Sequence, residues 1–268
     1  MPTRWDLFAG ATVVVLLVVL GLSRATAREL SGPGDADAGT DVPDQKPREY
    51  GPMPADSRET DVADDPPGLR PGPATPAGGS DLLLSATLSQ ALVGGLLVGL
   101  TWYAGVPASA FGIENSIGAL LPGVALGAGL YAANEASVWV AVRLGIESDE
   151  ALRELLAPET RGEWALLLLV VLPVVAGVEE LLFRGALVGA LAAGFPVSPW
   201  VLAVFSSVAF GLGHGLQGPG GVLVTGVLGF ALAAAFVLTG NLWVLVVAHY
   251  LVNALEFLVH EGLGAEWG

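Results

Sequence analysis

Two adjacent carboxylates and a guanidinium lie inside an apolar run, Gly177-Val-Glu-Glu-Leu-Leu-Phe-Arg-Gly-Ala186. A charge at the centre of a membrane helix costs roughly 3 kcal/mol or more, so three in one stretch need a reason. Helical residues four apart share a face and adjacent ones do not. Glu180 and Arg184 therefore pair, and Glu179 points elsewhere. Glu179 is the candidate general base, a carboxylate held away from bulk water that can take a proton and return it. Glu180 and Arg184 are its scaffold. Two histidines also stand in apolar surroundings, His214 in Phe210-Gly-Leu-Gly-His214 and His249 in His249-Tyr-Leu-Val-Asn253. His249 and Asn253 project from one helix face, and both can donate to the oxygen that gains charge when a peptide carbonyl is attacked. His214 can hold the attacking water with Glu179 or ligate a metal, with Phe210 packed beside it one turn earlier. These are the parts of a hydrolytic site. Each motif alone also has a structural reading, as an ionic clamp, a single hydrogen bond or interhelical glue. Three such motifs in one bundle favour chemistry.

The surrounding sequence must place these groups in a membrane. The chain has 268 residues, 53% hydrophobic and only 14% charged. Leu7 to Leu22 reads as a first span. Arg24 and Arg28 follow it directly and would resist export, which favours an uncleaved helix over residues 1–28. A signal-peptide or signal-anchor reading rests on Arg4 and the small residues Ala25-Thr26-Ala27. Between Glu29 and Ser80 eleven acids and four bases accompany many prolines and glycines, so residues 29–80 read as an acidic, disordered linker. The body, 81–268, holds further apolar runs: Leu82–Tyr103, Ile117–Val142 (with Asn134 and Glu135), Trp164–Ala193, Trp200–Leu216, Val222–Leu238 and Leu242–Val259. The 164–193 run is long for one span, and Pro173 or Gly177 could kink or split it. The expectation is all-α: a polytopic transmembrane bundle of seven to eight helices around a membrane-embedded catalytic cavity. Arginines at 24, 28, 143, 153 and 161 put the linker and the 143–163 segment on the cytoplasmic side of a cell membrane. Glu256 and His260, near the end of the last run, are expected at the interface.

Composition also excludes. A net charge of −15 with one lysine, Lys46, argues against nucleic acid as a partner. Acidic excess with arginine favoured over lysine suggests a halophilic, archaeal cytoplasm, as would GC-rich codons. Without cysteine there is no thiol nucleophile or thiolate ligand. No HExxH helix, Gly-x-Ser-Gly stretch, pair of span aspartates or Walker loop is present.

Glu179-Glu180-x-x-x-Arg184, Phe210-x-x-x-His214 and His249-x-x-x-Asn253 together resemble the three motifs of the CPBP family of intramembrane proteases. This family includes the type II CAAX prenyl endopeptidases and relatives linked to bacteriocin self-immunity. The resemblance covers roughly residues 82–260. It implies about eight helices around a cavity open to the membrane, with Glu179 and His214 activating water and His249 and Asn253 stabilising the oxyanion. It also implies a peptide or membrane-protein substrate. Members are classed both as metalloproteases and as metal-independent glutamate proteases, and Glu179, His214 and His249 would form the zinc set. The metal-free reading is preferred, because Glu179 cannot easily serve as ligand and base together. The rival readings are a non-catalytic binding or immunity protein of the same fold and a proton-coupled transporter.

Overall fold

In a computed structural model, residues 2–30, 79–113, 117–143, 153 and 156–265 are described. The acidic linker, residues 114–116 and most of the 143–163 segment lie outside them. The described residues form seven helices and no strand: α1 (Trp5–Leu30), α2 (Gly79–Ala104), α3 (Leu120–Arg143), α4 (Arg161–Gly194), α5 (Pro199–Gly213), α6 (Gly218–Thr239) and α7 (Leu242–Gly262). The chain is thus an all-α, polytopic membrane bundle.

Five helical stretches, Trp5–Thr26, Leu83–Ala104, Arg161–Gly194, Gly215–Thr239 and Leu242–Gly262, are long and apolar enough to cross a bilayer. Two expected spans fall short of that standard. Asn134 and Glu135 interrupt the apolar character of α3, and α5 has only 15 residues. Large side chains such as Leu88, Leu121 and Leu169 face outward, at 70%, 79% and 74% exposure. Lipid removes the penalty that water would impose on such a surface.

The long run read as divisible is one helix. α4 continues from Arg161 to Gly194, and its irregularities are two π segments, Leu167–Val171 and Leu181–Ala190. A proline lacks the amide needed for the helical ladder and crowds the carbonyl four residues back. The first π segment ends just before Pro173 and absorbs that mismatch without a break. α4 starts from a capping box in which Glu163 N donates to Thr160 Oγ1 and Thr160 N to Glu163 Oε2. Its second π segment is the centre of the bundle, with eight of ten residues buried.

The neighbours of α4 come close through small residues. Gly123 and Gly127, one turn apart on α3, lie against α7. A Cβ on either would stand 2.7–2.8 Å from Val247 Cβ or Ala248 O. Such spacing lets two membrane helices approach backbone to backbone. α1 docks on the body through a stripe at Phe8, Thr12 and Leu16, all buried. Its amide at Arg4 donates to Ala104 O, and Trp5 covers Gly194.

The turn at Gly112 depends on glycine. Its φ is +71°, and a Cβ would lie 2.5 Å from Gly240 O. Gly112→Ala is expected to cost about 2 kcal/mol, seen as a lower thermal unfolding midpoint in detergent.

Candidate active site

The polar centre is built where α4, α5, α6 and α7 meet. Glu180 and Arg184 are fully buried, and Arg184 Nη1 donates to Glu180 Oε1 at 2.6 Å. This is the i, i+4 pair expected from the spacing. The same oxygen accepts from His249 Nδ1 at 2.7 Å, which joins α4 to α7. The second arginine nitrogen, Nη2, donates to Gly229 O on α6 at 3.0 Å. A side chain at Gly229 would have to displace Phe210, whose Cδ1 would lie 2.9 Å from its Cβ.

Phe210 is the apolar hub. Its ring lies 4.6 Å from Arg184 Cζ, 4.6 Å from the His214 ring, 5.0 Å from Phe183 and 5.9 Å from His249. It packs beside His214 as the spacing requires and also touches both other motifs. Ser206 Oγ donates to Phe183 O at 2.6 Å, fastening α5 to α4 beside it.

His214 sits at the C-cap of α5 rather than within a longer span. Its Nδ1 is 2.8 Å from Phe210 O. A carbonyl only accepts, so Nδ1 carries the proton and Nε2 remains as the acceptor nitrogen. The preceding residue is braced from α1, where Ser23 Oγ donates to Gly213 O at 2.5 Å.

Glu179 is half-buried and makes different contacts. Gln90 Nε2, on α2, donates to its Oε1 at 3.2 Å. Its Oε2 stands 3.7 Å from His249 Nε2. With Nδ1 committed to Glu180, His249 turns its other nitrogen toward Glu179. Asn253 follows one turn later on α7, half-buried. Two surface pockets, one beside Gly112, Gly189 and Phe236 and one at Trp200, Val204 and Phe205, include none of the seven motif residues.

Among the described residues, the trio that gathers three ligand atoms within 4.8 Å is Glu135, Glu256 and His260, not Glu179, His214 and His249. Of the candidate zinc set, Glu179 Oε2 and His249 Nε2 stand 3.7 Å apart. The residues Glu135, Glu256 and His260 belong to an ionic cluster. His260 Nε2 lies 3.1 Å from Glu135 Oε1, and Arg153 contacts Glu256 at 3.1 Å and Glu261 at 2.8 Å. Asn134 Nδ2 donates to Glu256 Oε2 at 3.4 Å. Glu256 and His260 thus tie the end of α7 to α3.

Spacing revealed the Glu180–Arg184 pair and the two histidine motifs. It missed the carboxylate shared with His249 and the approach of Gln90. Gln90, the one amide side chain in the run Leu82–Tyr103, was the available signal for the latter.

The fold and these contacts define a polytopic membrane protein with a buried carboxylate–arginine–histidine centre. Residues 161–255, which contain all seven motif residues and cover roughly a third of the chain, match the family model of type II CAAX prenyl endopeptidase Rce1-like proteins. That is the resemblance carried by the three motifs, and the matching family is one of endopeptidases. No curated protein and no solved structure matches the chain.

Proposed function

We propose that this chain is an intramembrane endopeptidase that hydrolyses a peptide bond near the membrane surface with water activated by Glu179. The observation that carries the reading is the unequal use of two adjacent carboxylates. Glu180 gives one oxygen, Oε1, to both Arg184 and His249 and is fully buried, whereas the half-buried Glu179 presents Oε2 to an imidazole edge at 3.7 Å. A water lying off the line between those atoms can reach both.

Glu179 takes a proton as the water oxygen attacks the carbonyl carbon, with His214 Nε2 accepting from the same water. The carbonyl oxygen becomes negative and is held by the Asn253 amide and by His249, which donates from Nε2 when both of its ring nitrogens carry protons, Nδ1–H remaining on Glu180. Collapse of the tetrahedral species breaks the C–N bond, and Glu179 returns its proton to the leaving amine. Phe210 and Arg184 keep the imidazoles and the carboxylate in register. No step in this reading is assigned to a metal.

The substrate is a peptide or membrane protein reached from the bilayer, and prenylated C-terminal peptides are one class to test. We place the protein in the cell membrane with the ends flanked by Arg24 and Arg161 on the cytoplasmic side.

The test is cleavage of fluorogenic peptides by the purified, full-length protein in detergent, with prenylated and unmodified membrane-surface sequences side by side. Mass spectrometry would locate the broken bond. Cleavage at a defined bond is expected, with activity undiminished by a chelator. Folded protein that cuts nothing in either set would favour a non-catalytic binding or immunity role. Activity lost on chelation and restored by zinc would overturn the metal-free mechanism.

A further inference from the structure

We infer that Gln90 is a positioning residue: its side-chain amide, reaching across from α2, fixes the carboxylate of Glu179. The inference rests on the proposed role of Glu179 and extends the site beyond the family-matched segment 161–255.

α2 carries several polar side chains, and three of them bond within their own helix. Thr87 Oγ1 donates to Leu83 O, Ser89 Oγ to Ala86 O and Thr101 Oγ1 to Leu97 O. Gln90 instead sends Nε2 across the helix interface to Glu179 Oε1 at 3.2 Å. The interface is shaped to allow this reach. Gly94, one turn beyond Gln90, faces Val178, the residue before Glu179, and a Cβ on Gly94 would stand 2.7 Å from Val178 Cγ2. The missing side chain brings α2 close at the level where the amide must cross.

The contact matters because the terminal torsion of a glutamate is broad and two-fold. Unheld, the Glu179 carboxylate would rotate and divide its time between orientations. With Oε1 fixed by Gln90, Oε2 is directed toward His249 Nε2. Gln90 does not touch the reacting atoms in this arrangement. It acts by keeping the base aimed, and general-base catalysis is sensitive to small misplacement.

The test replaces the amide with an apolar group of similar size, Gln90→Leu, which suits a membrane helix and leaves the packing against Val178 in place. Cleavage of the fluorogenic peptides is expected to fall about tenfold in kcat, equivalent to about 1.4 kcal/mol in barrier height, with KM within about twofold. The solvent deuterium isotope effect on kcat should rise as proton transfer becomes more rate-limiting, and the thermal unfolding midpoint should not fall. A purely structural role would lower the midpoint and leave the isotope effect alone.

A readout independent of activity uses protein labelled with 13C-glutamate. The infrared difference between wild type and Glu179→Gln identifies the Glu179 carboxylate band, and Gln90→Leu should move that band. If wild type cuts no peptide, the protease reading fails and the band alone decides whether Gln90 holds Glu179. An unmoved band, an unchanged kcat or an effect confined to KM would overturn the inference.

Discussion

Glu179→Gln should abolish cleavage, with kcat reduced at least about a thousandfold, within the range for removing a general base. The substitution is close to isosteric, and its amide oxygen can still accept from Gln90, as Glu179 Oε1 does at 3.2 Å. What is lost is the ability to take a proton from water and return it to the leaving amine. The residue is half-buried and outside the Glu180–Arg184 pair, so the fold should survive. The measurement is kcat/KM on the peptides cleaved by wild type, alongside thermal unfolding of both proteins in the same detergent. Activity within tenfold of wild type, at an unchanged midpoint, would remove Glu179 from its role as base.

Arg184→Leu should instead break the protein before it breaks the chemistry. Glu180 and Arg184 are fully buried, and removing one partner of such a pair costs about 3–5 kcal/mol because the other charge remains in a dry interior. Gly229 O would lose its donor as well. Lysine is no substitute: its single ammonium cannot reproduce a guanidinium fork that reaches Glu180 and Gly229 while lying over Phe210. Low yield and a strongly depressed unfolding midpoint are expected for either change. The double variant Glu180→Met with Arg184→Met removes both charges and should recover much of that stability. It should still be inactive, because His249 Nδ1 loses the carboxylate that orients it. A double variant with wild-type activity would mean that Glu180 does not position His249.

Much of the bundle and part of the site were legible in the sequence, for physical reasons that can be traced. Apolar runs longer than a bilayer is thick can be recognised without tertiary information, and they located the helices within a few residues. Pairs four apart, Glu180 with Arg184 and Phe210 with His214, are local consequences of the helical repeat, and the structure keeps both. The remaining contacts connect different helices. Gln90 meets Glu179 across 89 residues of sequence, and His249 meets Glu180 across 69. No periodicity records which helices become neighbours. α1 shows the same limit. Its buried stripe at Phe8, Thr12 and Leu16 is spaced by four, but the helix is apolar all round, so hydrophobicity alone cannot indicate its docked face. The 164–193 run was ambiguous because Pro173 suggests a break, whereas the preceding π segment accommodates it.

The π segment Leu181–Ala190 makes chain length itself part of the design. A π turn holds its residues in wider i to i+5 loops, so this stretch has slack that an α-helix would not need. Deletion of a single residue here would change little in composition and would leave Glu179 and Glu180 untouched. It would let the segment tighten toward α geometry, so the lost residue comes out of the slack and the helix beyond keeps close to its present phase. The same loss in a regular α-helix would turn everything beyond it by about 100°, the angle per residue at 3.6 residues per turn. An in-frame loss of one codon in this stretch, outside Arg184, should therefore be better tolerated than the same loss within α6, because the central helix holds a residue in reserve.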